Sequence, residues 1–422
     1  MLALLGEEEW NDSSEQLFLH VQKLIKQCNA EQQQAILMCF NSNDIAILRG
    51  YPGTGKTTVI SVIVILCVLL RKSVFLTSHT HTAIDNILLK LLQHDLPILR
   101  LGDIAKIHPQ TTRYHISNQW SGDFGTYQSI YESKSIVAAT VYTNLQQFPR
   151  GKVFDLCIVD EAGQIPEPSI LQAFLLSKQV FLVGDSKQLP PIVQNPLAAK
   201  FGFDISLMAR LEQSGSEDSK WIGKLYTQYR MNEPIMNLVN HLVYDNTLRA
   251  ASESIANAFL PVRIDSNAPM WIQTVLSPAN GVVFISTDSQ SKERNEKEIQ
   301  EEDNRRSSML EARIVSELIK YITSGGVSSE SIGIISPYNA QVAYIQSVIG
   351  DKSIEISTVD SFQGREKECI IISLVRNNRK QKIGTLLKDW RRINVAFSRA
   401  TRKLIIIGSE ITLCAEPIWL EV

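Results

Sequence analysis

Short apolar runs bounded by polar turns recur along this chain, and most of them are too short and too β-branched to be helices. In the first half, residues 45–48, 73–78, 135–140, 154–159 and 180–184 read as buried strands. In the second half, residues 282–286, 332–336, 354–359, 369–374 and 403–407 read the same way. Helical period fills the intervals. Leu17, Val21, Leu24 and Ile25 share one face of an amphipathic helix, and residues 58–66 are apolar all round, which predicts a buried helix. A Leu-rich helix follows residues 79–86. Strand and helix alternating in two series predict an α/β chain of two tandem domains, each a parallel sheet flanked by helices.

The expected boundaries are a helical remnant over 1–28, a first domain over 29–222 and a second over 223–422. In the first, residues 102–134 turn polar and aromatic-dotted, which reads as a small inserted subdomain. In the second, residues 289–308 are charged and almost free of apolar side chains, which reads as a disordered surface loop. The polar start at Asn29 opens a glutamine-rich helix in which Gln32 lies near the first turn.

Composition narrows the classes. Hydrophobic content of 44% and charged content of 20% over 422 residues describe a soluble globular chain with room for several domains. The net charge of −2 supplies no global basic field, so contact with nucleic acid needs a local groove. Six cysteines are scattered without a Cys-x-x-Cys pair, which reads as buried thiols of a reducing compartment. The longest apolar run, residues 59–70, is too short to cross a bilayer, and the N-terminus lacks the basic region of a signal peptide.

The chemistry starts after the first strand, at Gly50-Tyr51-Pro52-Gly53-Thr54-Gly55-Lys56-Thr57, followed by Thr58 and the apolar helix. Strand, glycine-rich loop and helix in this order form a phosphate-binding loop. Its backbone N–H groups and the helix N-terminus cradle phosphate oxygens. Lys56 is placed to reach the outer phosphates of ATP, and Thr57 to hold Mg2+. Residues 154–159 then end in Asp160-Glu161, a strand-end pair suited to a metal-bound water (Asp160) and the attacking water (Glu161). Such a pair can also be an ordinary helix cap; the loop upstream favours the catalytic reading. Asp185 and Gln188, after the strand at 180–184, are placed to sense the γ-phosphate from the sheet edge. The second domain has no phosphate loop, so it contributes side chains: Tyr229 to stack on the base, and Arg230 and Arg399 as guanidiniums for phosphoryl charge.

In order along the chain stand Gln32, the loop at 50–57, residues 77–86 (Thr-Ser-His-Thr-His-Thr-Ala-Ile-Asp-Asn) and 160–164 (Asp-Glu-Ala-Gly-Gln). They are followed by 184–191 (Gly-Asp-Ser-Lys-Gln-Leu-Pro-Pro), 228–231 (Gln-Tyr-Arg-Met), 358–366 (Thr-Val-Asp-Ser-Phe-Gln-Gly-Arg-Glu) and 394–400 (Asn-Val-Ala-Phe-Ser-Arg-Ala). This series resembles the motifs of superfamily 1 helicases, in the branch that includes the RNA helicase of nonsense-mediated decay. Residues 99–102 (Leu-Arg-Leu-Gly), 106–109 (Lys-Ile-His-Pro) and 386–396 (Leu-Leu-Lys-Asp-Trp-Arg-Arg-Ile-Asn-Val-Ala) are similar to the helicase part of the eukaryotic DNA replication helicase/nucleases. The resemblance covers nearly the whole chain from about residue 28.

It implies two RecA-like domains with ATP between them, and movement along single-stranded DNA from 5′ to 3′. The implied setting is the nucleus, in Okazaki-flap processing and end resection with replication and repair partners. Gln32 would read adenine, Glu366 would meet the ribose, and Thr80, His81, Asn86, Thr358 and Ser361 would touch the strand. The family's nuclease domain, with its four-cysteine iron–sulfur cluster, has no counterpart here. The small β-barrel that precedes the adenine-reading glutamine is missing or reduced to residues 1–28. A helicase-only product, a fragment or a lineage without the nuclease is therefore expected. Phe397-Ser398 stands where the family more often has an aliphatic residue and threonine, a change that spares Arg399. RNA as the strand, and a nucleic-acid-binding protein with weak ATPase activity, are the competing readings.

Overall fold

The computed structural model describes residues 12–120, 122–143, 147–149, 151–215, 219–289, 299–300, 306–378 and 380–422. Its contacts divide the chain into two compact units. One holds Met1–Ser186 and Pro190–Tyr226, the other Lys187–Leu189 and Thr227–Val422.

In the first unit, seven strands form one sheet in the order β3-β4-β2-β5-β6-β1-β7. They are β1 (Ile45–Gly50), β2 (Val74–Ser78), β3 (Ile98–Arg100), β4 (Ile136–Thr140), β5 (Leu156–Asp160), β6 (Val180–Gly184) and β7 (Ile222–Leu225). Every pairing is parallel. Side chains of a strand alternate in direction, and here both directions are apolar. Ala46, Leu48, Leu76, Ile158 and Phe181 enter one core, whereas Ile47, Phe75, Val137, Val159 and Leu182 enter the other. A sheet covered on both faces needs such uninterrupted apolar strands, which is why they read as runs in the sequence.

Helix α1 (Asp12–Gln27) buries Val21 and packs Leu24 and Ile25 on the first of these cores. Residues 1–11, the start of the expected N-terminal remnant, lie outside the described residues. Helix α2 (Ala30–Asn41) precedes β1, and α3 (Lys56–Leu69) follows it. Val59 to Leu66 of α3 are all buried, so its apolar circumference reflects a core position. No described helix is long and apolar enough to cross a membrane.

The stretch expected as an insertion forms three 3-10 turns, at Ile104–Lys106, Thr112–Tyr114 and Ile116–Asn118, and helix Phe124–Ser133. Ile116 and Tyr131 join the core under β3 and β4, so it belongs to the body of this unit. Two strands escape the periodicity reading. β3 has three residues and includes an arginine; β7 is an edge strand with Gly223 and Lys224 in it, and Leu225 ends it.

The second unit has a five-stranded parallel sheet. Across it run β8 (Val282–Ser286), β12 (Ala400–Gly408), β11 (Lys367–Ser373), β9 (Ile332–Ser336) and β10 (Glu355–Thr358). Helix Met309–Ser324 covers one face through Leu310, Ile314, Leu318 and Ile322. Of the charged loop expected at 289–308, residues 290–298 and 301–305 lie outside the described residues. Between and after them, Ile299–Gln300 pairs antiparallel with Arg306–Ser307. Two parallel α/β sheets thus carry the expected fold class.

Candidate nucleotide-binding site

Parallel pairing brings the carboxyl ends of β1, β5, β6 and β2 to one edge of the first sheet: Arg49 lies beside Gly184, and Ser78 beside Asp160. In an open α/β sheet, that edge is where ligands bind. The loop between β1 and α3 occupies it. Thr54 braces the loop by donating from its hydroxyl to the Tyr51 carbonyl at 2.8 Å. Lys56 lies back over the loop, Nζ donating to the carbonyls of Gly50 at 2.6 Å and Tyr51 at 3.2 Å. A Cβ at position 50 would fall 2.4 Å from Cγ of Lys56, so glycine there makes room for the lysine stem. Helix α3 starts with neither a side-chain cap nor an acidic residue in its first turn. Its positive end is left for an anion.

Gln32 sits under this loop. Its Oε1 accepts from the Asn29 N–H at 3.1 Å, and Asn29 returns the bond to the Gln32 N–H at 2.8 Å, closing a capping box. Its Nε2 donates to the Thr54 carbonyl at 3.1 Å. The residue expected to read adenine therefore also props the phosphate loop. Gly55, at φ +82°, would place a Cβ 2.6 Å from that Nε2. Gly55→Ala is expected to cost about 1–2 kcal/mol in backbone strain and to break the Gln32–Thr54 bond. A thermal midpoint lower by about 5 °C, together with a raised KM for nucleotide, checks this; an unchanged KM would contradict it.

Asp160 is buried at the end of β5, and its Oδ1 has no hydrogen-bond partner in the protein. Burial raises its pKa from the usual carboxylate value, while Lys56 and the Glu161 N–H draw it down. An orphaned buried carboxylate oxygen needs a partner from outside the chain. With the Thr57 hydroxyl at the start of α3, the oxygen donor set fits Mg2+ completed by water. Glu161 follows at φ +53°, a left-handed conformation that is costly for a non-glycine residue and that recurs at functional sites. The Thr80 hydroxyl donates to its Oε2 at 3.5 Å and also caps helix α4 (His81–Leu91) by accepting from the Ala83 N–H. The Thr58 hydroxyl, expected near the nucleotide, accepts from Lys90 at 2.9 Å. Asn86 is exposed on α4, and Thr80 and His81 are half-buried at its start.

The second unit gathers its own group. Gln228 is buried and holds the turn after it: Oε1 accepts from the N–H groups of Arg230 at 2.8 Å and Met231 at 2.7 Å, and Nε2 donates to the Met231 carbonyl at 2.7 Å. That turn displays Tyr229, which is 44% exposed. Arg230 pairs through Nε with Glu366 Oε2 at 2.5 Å and donates from Nη1 to the Ser398 carbonyl at 3.3 Å. A cavity of about 500 Å3 borders Tyr229, Arg230, Glu366, Lys367 and Arg402. Arg399 points inward. Its Nε donates to the Val395 carbonyl at 2.9 Å, Nη1 to the Arg365 carbonyl at 3.3 Å and Nη2 to the Ser398 hydroxyl at 3.0 Å. The structure thus joins Arg230, Glu366 and Arg399 in one polar cluster, with Arg399 buried within it. Gln188 is buried on the segment Lys187–Leu189, whose Lys187 carbonyl accepts from Asn394 Nδ2 at 2.9 Å. Thr358 donates to Ser361 at 3.2 Å at the end of β10.

Sequence reasoning gave no role to Gln228, Asp85 or Arg100. An aspartate inside an apolar helix and an arginine inside an apolar strand were the available signals for the last two. Among the described residues no group of three His, Cys, Asp or Glu could hold a metal ion. The described cysteines are free, and all but Cys414 are buried.

Two family models, each described as an AAA domain, match this chain, one over residues 27–124 and 123–196, the other over 203–411. Among solved structures, the helicase nonstructural protein 10 of an arterivirus aligns with 89% of this chain and 61% of its own at 15% identity, with a TM-score of 0.43. The DNA replication ATP-dependent helicase/nuclease DNA2 of Homo sapiens is 39% identical over 413 residues, 93% of this chain and 38% of the relative. The corresponding JHS1 of Arabidopsis thaliana is 36% identical over 396 residues, 93% of this chain and 29% of the relative. This chain therefore spans well under half the length of the curated relatives it matches. Identity at this level across both units, with the two AAA-domain models, shows that the chain corresponds to the superfamily 1 helicase portion of the DNA replication ATP-dependent helicase/nucleases.

Proposed function

We propose that this chain hydrolyses ATP with Mg2+ and uses the cycle to move 5′ to 3′ along single-stranded DNA, unwinding duplex ahead of it. The observation that carries the reading is the orphaned Oδ1 of buried Asp160 at the same sheet edge as the phosphate loop and Lys56. Residues 50–58 wrap the phosphates through backbone N–H groups, and Gln32 meets the adenine with the Nε2 it also lends to Thr54. Lys56 leaves the Gly50 and Tyr51 carbonyls for the outer phosphates. Thr57 and Asp160 would hold Mg2+, which supplies neutralisation of phosphate charge when bound. Glu161 orients and deprotonates the attacking water, and Gln188 senses the γ-phosphate. Tyr229 stacks on the base, Glu366 takes the ribose, and Arg230 and Arg399 stabilise the charge of the transferring group.

Thr80, His81, Asn86, Thr358 and Ser361 contact the strand. On this reading the chain works in the nucleus, in flap processing and end resection, with replication and repair proteins as partners; no nuclease chemistry is assigned to these residues. Steady-state ATP hydrolysis at low salt, alone and with excess single-stranded DNA or RNA, tests the reading. Stimulation chiefly by DNA is expected. Equal stimulation by RNA would move the assignment to an RNA helicase, and no hydrolysis under any condition would leave a binding protein.

A further inference from the structure

Helix α4 opens with His81, and behind it lies a buried polar network that the nucleotide chemistry does not use. Arg100, at the end of β3, is wholly buried. Its Nε pairs with Asp85 Oδ1 at 3.3 Å, its Nη1 donates to the carbonyls of Leu101 at 2.8 Å and Ala138 at 3.3 Å, and its Nη2 faces His81 Nδ1 at 3.0 Å. Asp85 is held in turn: the His108 N–H donates to Oδ2 at 3.0 Å and the Thr111 hydroxyl to Oδ1 at 3.1 Å. A buried ion pair adds little net stability against an apolar core, because both charges must be desolvated. What such a pair supplies well is a fixed geometry.

A guanidinium has only N–H groups to offer. The imidazole nitrogen facing it must therefore present a lone pair, which leaves the ring proton on the other nitrogen. Gly102 clamps the ring from the side. At φ +119° it admits Cε1 of His81 so closely that a Cβ would lie 3.2 Å away. The other charged groups about the ring are Asp103 and Lys106, and His115 points its Nε2 at the Gly102 carbonyl at 3.0 Å. Burial, and next to it Arg100, lowers the His81 pKa from the usual histidine value.

We infer that Arg100 and Asp85 are positioning residues that fix His81 as a neutral imidazole protonated on Nε2. The strand then meets a hydrogen-bond donor at this position and not a cation. The inference rests on the assignment of His81 to the strand contacts and adds the form in which it acts. A neutral donor contributes to affinity without releasing a counterion, so its removal leaves the salt dependence of strand binding alone.

Two measurements on the full chain test this. In protein labelled with 15N-histidine, the signal lost in His81→Gln is assigned to His81. Its Nδ1 is expected to be bare at pH 7, and in Asp85→Asn the ring is expected to turn into a mixture of tautomers. A proton on Nδ1 in the unsubstituted protein overturns the inference while leaving the strand assignment intact. In parallel, His81→Ala is expected to weaken single-stranded DNA binding about fivefold with an unchanged slope of log affinity against log salt. Asp85→Asn should add no further loss in the His81→Ala background. A slope reduced by about 0.7 would show that His81 binds as a cation, and additive losses would show that Asp85 acts through the fold alone; either result overturns the inference. An unchanged affinity in His81→Ala removes the strand assignment and the inference together.

Discussion

Lys56→Ala is expected to lower ATP turnover by about 10³-fold or more, with little change in folding. The ammonium group caps two loop carbonyls, those of Gly50 and Tyr51. Both carbonyls can turn to water when the side chain is removed, so the thermal midpoint should move only slightly. The loss falls on the reaction. The charge that Lys56 would bring to the outer phosphates matters more in the transition state, where negative charge shifts toward the leaving oxygen. Turnover measured beside a melting curve separates the two effects. Near-normal hydrolysis by a well-folded Lys56→Ala protein would remove the phosphate loop from the mechanism.

Arg399→Ala should cost on the order of 10³-fold in turnover, and here the folded structure adds a second effect. Its guanidinium holds the carbonyls of Val395 and Arg365 and the Ser398 hydroxyl. Removing it from this buried position should cost about 2–4 kcal/mol of stability. Arg399→Lys separates the roles. Lysine keeps the charge and one set of donors but not the planar fork, so part of the stability should return while turnover stays low. If Arg399→Lys restored turnover in step with the melting temperature, Arg399 would be a structural cap on helix Trp390–Phe397 and not a finger. The pairing of Arg230 with Glu366 gives the same experiment a neighbour to compare, since Arg230 remains on a turn beside an open cavity.

Much of the fold was legible along the chain. The strand ends, the loop at 50–57 and the apolar helix after it are set by neighbours in sequence. A branched apolar run favours an extended backbone, and Gly53 and Gly55 permit the positive φ of the loop. The ten strands read from periodicity all appear within a few residues of their expected positions, whereas β3 and β7, which carry Arg100 and Gly223-Lys224, do not announce themselves. Lys56 and Asp160 stand out along the chain because a glycine-rich loop and a strand end mark them, and Gln32 because it lies near the first turn of the helix before that loop. The polar partnerships were not.

Sequence by itself determined which stretches are strands, where the glycine-rich loop between strand and helix lies and which side chains are chemically able to act. Tertiary structure alone decided that β1 lies between β6 and β7, that Asp160 is buried with one oxygen unpartnered, and that Arg100 reaches His81 across 19 positions. It also decided that Arg399 turns inward while Tyr229 stays exposed. Local conformation depends on a residue and its near neighbours. The partner of a buried charge depends on which distant backbone groups a sheet's pairing order brings within about 3 Å, and no periodicity in the chain records that order.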